Sequence, residues 1–271
     1  PVLTIASYKL YGGKNESEII KASGSLELIQ SYLLIHDDII DESDLRRGRP
    51  TVHKIYSEKG EKFGRDMAII AGDLASMYAQ EILSTSNFNK EDLVNALYKL
   101  SEIVEYTGYG QIIDVLSSYR DNFSEDDLLK LHTYKTAKYT IEGPMIIGSM
   151  LAGNYDFRMI SEYSIPVGIA FQLQDDVLGL FGNEIEIGKP VTSDLEEGKK
   201  TLLILKASEN ENYRKIIGEI LGKKNIKMEE LEKVRKIVRD SGALEYTQKM
   251  AEDLVKRGIN ALGKIDSDEK Q

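Results

Sequence analysis

The chain contains no cysteine and no tryptophan, and only five prolines in 271 residues. It is also short of positive charge, with 35 Lys and Arg against 45 Asp and Glu and a formal net charge of −10. The absence of cysteine excludes a disulfide framework, a thiolate metal centre and a cysteine nucleophile, and fits a reducing compartment such as the cytoplasm. The acidic balance argues against a nucleic-acid partner. Long hydrophobic runs are missing too. Met145 to Ala152 is interrupted by Gly148 and falls well short of the roughly 18 apolar residues that span a bilayer, so no stable membrane insertion is expected. No secretory signal is visible at the start. What remains is 41% hydrophobic and 30% charged, the balance of a chain that folds around a large core.

With breakers only at Pro1, Pro50, Pro144, Pro166 and Pro190, long segments are free to be helical. Apolar residues recur at three- and four-residue steps, as in Leu93, Ala96, Leu97, Leu100, Ile103 and Val104, and strand alternation is nowhere sustained. The pattern predicts an all-α bundle with helices near 17–42, 61–84, 90–118, 124–152, 157–181, 199–221 and 227–263. Asn89 before Lys90-Glu91-Asp92, and Ser124 with Asp127 three residues on, are cap-like starts. Gly143-Pro144 and Ser164-Ile165-Pro166 are expected to kink their helices. The acidic end Asp266-Ser267-Asp268-Glu269 reads as a solvated tail.

Two acidic clusters stand out. In His36-Asp37-Asp38-Ile39-Ile40-Asp41, about 100° per residue stacks Asp37 and Asp41 on one helix face with Asp38 one step round. Like charges at that spacing destabilise a helix, and they lie near its C-terminus, where the macrodipole disfavours them. Asp175-Asp176 follows Phe171-Gln172-Leu173-Gln174 in the same way. A solvated helix end explains either cluster alone. Two matching clusters without His or Cys ligands suggest carboxylate walls that hold Mg²⁺ ions, with substrate phosphate completing the coordination.

The basic residues suit such a substrate. Arg46, Arg47 and Arg49 gather in a turn with Gly48 and Pro50, where guanidinium forks favour phosphate, although a surface network with Asp44 is the simpler use of them. The segment Gly188-Lys189-Pro190 to Lys199-Lys200-Thr201 reads either as a polar loop or as a lysine-bearing lid. No P-loop pattern is present.

Asp37-Asp38-Ile39-Ile40-Asp41 with Arg46-Arg47-Gly48, Lys135-Thr136, Phe171-Gln172-Leu173-Gln174-Asp175-Asp176, and Gly188-Lys189-Pro190 with Lys199 together resemble the trans-isoprenyl diphosphate synthases over almost the whole chain. Most similar are the archaeal-type members that make geranylgeranyl diphosphate. The resemblance implies a homodimer in which each chain is a single-domain bundle of antiparallel helices around a central cavity. It implies Mg²⁺, with Mn²⁺ a substitute, at Asp37, Asp38, Asp41, Asp175 and Asp176. An allylic diphosphate would ionise there, and isopentenyl diphosphate would add to the cation. Arg46 resembles an allylic-diphosphate contact, and Arg47 and Gln30 resemble isopentenyl-site residues. Lys135, Thr136, Gln172 and Lys189 resemble groups at the leaving diphosphate or the cation. Lys199 resembles a second lid lysine, and Gln111 with Asp114 a segment lining the cavity. Asp194 stays open between lid support and a water-bridged metal contact.

Departures from the family pattern carry further expectations. Gly179 stands where many relatives have a third Asp. The family's G-G-K-x-x-R segment is expected upstream of Pro1, so Gly12-Gly13-Lys14 is a decoy in a turn, and the terminal basic helix of the family is expected beyond the chain's end. Tyr32 resembles the aromatic that stops growth at C20, although its position about 140° round from Asp37 leaves plain core packing open. Leu33 is small beside the second aromatic of farnesyl-making relatives. Farnesyl or longer-chain synthesis, a terpene cyclase and a non-catalytic partner subunit are the rival readings.

Overall fold

The computed structural model describes residues 1–120, 122–183 and 190–263. Its helices are α1 (Val2–Leu10), α2 (Glu16–Ile40), α3 (Val52–Ile55), α4 (Glu61–Ser84), α5 (Lys90–Ser117), α6 (Glu125–His132), α7 (Gly143–Leu151), α8 (Arg158–Phe181), α9 (Ser193–Glu196), α10 (Leu202–Ala207), α11 (Glu211–Gly218), α12 (Met228–Asp240) and α13 (Ala243–Leu262). Thr133–Glu142 between α6 and α7 is a π-helix. The only strands among the described residues are β1 (Leu45–Arg46) and β2 (Arg49–Pro50), an antiparallel pair with Arg46 opposite Arg49. The all-α expectation therefore holds, and no described helix is long and apolar enough to cross a membrane.

The differences from the expected boundaries have local causes. The span 199–221 divides because the Asn210 side chain accepts from the backbone of Asn212 and Tyr213 and starts α11 afresh. The span 227–263 divides at Gly242, whose φ of 76° ends α12 with a left-handed residue. At Gly143-Pro144 the π-helix ends and α7 begins with Pro144 in its first turn, where the missing N–H costs nothing. Pro166 lies inside α8, which continues through it. The starts at Asn89 and Ser124 are as expected, the latter a reciprocal cap with Asp127. The tail at Asp266 to Glu269 lies outside the described residues.

The chain forms two compact units. The first is built mainly from Pro1–Glu105 and Tyr139–Ser161. Its core takes Ile19, Ala22, Leu26 and Ile29 from α2, Ala79 and Leu83 from α4, Leu93, Ala96, Leu100 and Ile103 from α5, and Ile147 and Leu151 from α7. These are the helical spacings visible in the sequence, and each fully buried Leu or Ile contributes about 1.5–3 kcal/mol. α1, which the periodicity did not reveal, packs on α7: Ser7 Oγ donates to the Met145 carbonyl at 2.6 Å. The second unit, Tyr106–Lys138 with Glu162–Ala261, has two cores. Leu128, Leu131, Ala137, Ile169, Leu173, Leu202 and Ala251 belong to one. Val177, Leu180, Leu195, Leu203, Leu231 and Val234 belong to the other.

His53 on α3 is 4% exposed, and its Nδ1 lies 3.3 Å from Thr51 Oγ1. Burial, then the Lys54 charge, lowers its pKa below the usual value. The unfolded chain therefore takes up a proton near pH 6.5 that the folded chain resists. The stabilising effect of a neutral His53 is complete above about pH 6.5 and declines as pH falls below it. Urea midpoints of the wild type and His53→Gln at pH 7.5 and 5 should show the wild type losing more stability on acidification. Parallel losses would refute this.

Candidate functional site

α2 opens on Asn15, whose side chain caps Glu18 N, and closes on the first acidic row. Asp37 and Asp38 occupy its last turn, and Asp41 is its C-cap. The chain then reverses through β1 and β2. Arg47 and Gly48 have φ of 52° and 73°, the two left-handed residues of a tight turn whose twist matches its strands. This reversal brings Arg46 back to the end of α2, where Nε donates to Asp38 Oδ1 at 2.7 Å and Nη2 to Asp37 Oδ2 at 3.5 Å. The cation lies where the helix dipole and the stacked carboxylates both call for one. Burial raises the Asp38 pKa, and Arg46 partly offsets that rise. Arg47 and Arg49 are exposed on the turn, and Gln30 is half-buried farther back on α2. Leu33 packs against the first unit's core, and Tyr32 meets His36 edge-on, ring centroids 4.8 Å apart.

In the second unit eight of the remaining candidates line one cavity of about 80 Å³: Asp114, Lys135, Thr136, Gln172, Asp175, Asp176, Asp194 and Lys199. Two glycines make it possible. A methyl at Gly110 of α5 would lie 2.5 Å from Lys135 N, and one at Gly168 of α8 would lie 2.4 Å from Ala137 Cα. Bare glycine thus admits the π-helix against both helices. One turn beyond each glycine, on the same face, stands a polar partner. Lys135 Nζ bonds Asp114 Oδ2 at 2.5 Å, and Thr136 Oγ1 donates to Gln172 Oε1 at 2.8 Å. Gln172 Nε2 in turn donates to Asp176 Oδ1 at 3.0 Å. A π-helix at such a position is a frequent mark of function. Lys199 reaches Glu197 at 2.5 Å and Asp194 at 3.9 Å. Gln111 is not in the cavity lining, and its buried Nε2 has no hydrogen-bond partner among the described residues. Lys189 lies outside the described residues.

Asp176 is 7% exposed, and Oδ2 has no hydrogen-bond partner among the described residues. Burial pushes its pKa up to about 8, with the charges of Asp194 and Asp175 adding to the rise. His132 stands 3.6 Å away, but burial lowers its pKa to about 4. The pair is therefore a neutral contact, not an ion pair. Asp175, Asp176 and Asp194 supply hard oxygen donors of the kind that Mg²⁺ takes. Among the described residues no three His, Cys, Asp or Glu side chains converge as an ion-holding group. Sequence reasoning missed His132, which lies in the cavity lining. His132 precedes Lys135 by three residues, one helical turn, which was the available signal.

The place of a third carboxylate at Gly179 is taken from elsewhere. A methyl on Gly179 would lie 2.3 Å from Asp194 Oδ2, so Gly179 is the clearance for a carboxylate that α9 brings back to α8. Gly179→Ala forces only the end of the Asp194 side chain to shift, so it should destabilise by about 1 kcal/mol, the low end of overpacking costs, and Asp194→Ala should relieve most of that loss. Urea unfolding of the two single variants and the double variant reads the coupling. Additive losses would sink the steric account.

The polyprenyl synthetase family model matches residues 1–238. The geranylgeranyl diphosphate synthase of Sulfolobus acidocaldarius is 35% identical over 98% of this chain and 79% of its own length. The geranylfarnesyl diphosphate synthase of Aeropyrum pernix is 34% identical over 98% of this chain and 82% of its own length. Among solved structures, a geranylgeranyl pyrophosphate synthase from Corynebacterium glutamicum, complexed with isoprenyl diphosphate and magnesium, superposes with a TM-score of 0.93. It is 33% identical, over all of this chain and 82% of that one. The chain belongs to the polyprenyl synthetase family.

Proposed function

We propose that this polyprenyl synthetase is a Mg²⁺-dependent trans-prenyltransferase that condenses isopentenyl diphosphate with an allylic diphosphate to make geranylgeranyl diphosphate. The observation that carries the reading is the cavity of the second unit. It sets Lys135 and Lys199 beside Asp175, Asp176 and Asp194, a mixture of cations and metal-seeking carboxylates suited to a diphosphate. The relatives named above, geranylgeranyl and geranylfarnesyl synthases, point to the same class of product.

In this reading the allylic C–O bond breaks and its electron pair leaves with the diphosphate. The double bond of isopentenyl diphosphate adds to the allylic cation, and loss of a proton gives a product one isoprene unit longer. Mg²⁺, or Mn²⁺ in its place, supplies positive charge to the departing diphosphate. Asp37, Asp38 and Asp41 in the first unit, and Asp175 and Asp176 in the second, would hold metal ions, while Lys135, Lys199 and Lys189 would add fixed positive charge. Arg46 holds the carboxylate row in place and remains available to an allylic diphosphate. Arg47, Gln30 and Gln111 serve substrate binding. The Thr136 hydroxyl orients Gln172, which in turn orients Asp176. Tyr32 is the floor that limits growth at C20, with Leu33 beside it. The cytoplasm is the proposed site of action.

Purified protein with Mg²⁺, labelled isopentenyl diphosphate and farnesyl diphosphate should yield C20 diphosphate. Cyclised hydrocarbon would indicate a cyclase, and no turnover a partner subunit. Asp37→Ala and Asp175→Ala should each lower turnover by two or more orders of magnitude, an expectation from electrostatic stabilisation of charge in the transition state, with the helical circular dichroism unchanged. Tyr32→Ala should lengthen the product.

The first unit also carries an unpartnered apolar stripe. Ile70, Leu74 and Met77 of α4 are 52%, 48% and 55% exposed at helical spacing. We assign this stripe to a second copy of the chain, since an apolar face of this kind marks an interaction surface. Sedimentation velocity should give a dimer, with Leu74→Glu/Met77→Glu shifting it toward monomer. An unchanged dimer in that variant would place the contact elsewhere.

A further inference from the structure

His36 immediately precedes the first acidic row, but its ring is turned onto α4. A methyl at Gly72 would lie 2.4 Å from Nε2 and 2.5 Å from Cδ2 of that ring, so the imidazole rests on bare helix backbone that only glycine leaves open. Nε2 donates to the Ile69 carbonyl at 3.2 Å, and Asp73 Oδ1 is 3.7 Å away. One turn back on α2, Tyr32 presses edge-on against the same ring, with centroids 4.8 Å apart and planes at 69°. Tyr32 is half-buried, and a tyrosine at such a position can change rotamer unless a neighbour blocks it. The neighbour here is an imidazole seated over Gly72 and tied to a backbone carbonyl of α4. The edge-to-face geometry is a preferred one for aromatic pairs, so it defines an orientation as well as filling space.

We propose that His36 is a positioning residue for Tyr32, and that the ring over Gly72 acts as the wall fixing the tyrosine's orientation and so the length at which the product stops growing. This rests on the reading of Tyr32 as the floor. The control is therefore Tyr32→Ala beside His36→Ala, His36→Phe and Gly72→Ala. Each variant is incubated with Mg²⁺, farnesyl diphosphate and isopentenyl diphosphate, and the C25 to C20 ratio is read by chromatography of the dephosphorylated alcohols. His36→Ala should raise that ratio several-fold, and His36→Phe, which keeps a ring against Tyr32, should return it toward wild type. Gly72→Ala disturbs the ring from α4 without replacing a residue adjacent to Asp37, and should also change the ratio. A purely structural role would alter stability or rate but leave the ratio where it was. If Tyr32→Ala lengthens the product while His36→Ala and Gly72→Ala do not, the positioning role is wrong and the floor stands. A His36→Phe product as long as that of His36→Ala also overturns it. If Tyr32→Ala makes only the wild-type product, the floor reading fails first.

Discussion

Buried carboxylate is the constraint around which this chain is organised. Each compact unit takes one aspartate almost wholly out of water, Asp38 at 4% and Asp176 at 7% exposure, with other carboxylates next to it in sequence. Removing such a group from water costs several kcal/mol unless countercharge is supplied. The two units meet that cost differently. Asp38 is held by the Arg46 guanidinium at 2.7 Å. Asp176 accepts from the amide of Gln172, stands beside an imidazole that burial keeps neutral and feels the Lys199 charge, yet burial pushes its pKa up to about 8. The second arrangement is the more demanding of the two, because less countercharge offsets the loss of water.

The helices and their ends were largely legible because they depend on local spacing. Ile19, Ala22, Leu26 and Ile29 recur as a helix core must, and α2, α4, α5 and α8 begin and end within about two residues of where the pattern put them. The segments after Thr192 were less legible. Whether the chain continues one helix or starts another depended on a single side chain at Asn210 and a single φ at Gly242. The π character of Thr133–Glu142 left no periodic signature at all. One extra residue per turn over a short stretch shifts the apolar pattern by less than the variation already in it.

The site was legible in its residue types, less so in its pairings. The aspartates, Lys135, Thr136 and Gln172 are named by their motifs, yet nothing in sequence spacing says that Arg46 clasps Asp38 or that Asp194 fills the space above Gly179. The first contact depends on a chain reversal through the left-handed pair Arg47-Gly48. A reversal fixes which distant residues meet, and that information lies in backbone geometry. His132 escaped notice for a related reason. A lone histidine on an apolar helix face is usually plain core, and only its 3.6 Å approach to Asp176 gives it meaning.

The same logic explains the glycines of the second unit. Gly110 and Gly168 would ordinarily weaken α5 and α8 by about 1 kcal/mol each relative to alanine. In return the π-helix backbone comes against both, and the two contacts set two polar pairings, Lys135 with Asp114 and Thr136 with Gln172. Asp114 follows Gly110 by four residues, and Gln172 follows Gly168 by four. Each glycine therefore lies directly beneath the partner that its near contact, Lys135 or the Thr136-Ala137 pair, must reach. Larger residues at 110 and 168 would leave the sequence motifs intact while moving Lys135 and Thr136 away from Asp114 and Gln172. Helix stability is given up at the two positions where close approach sets the chemistry.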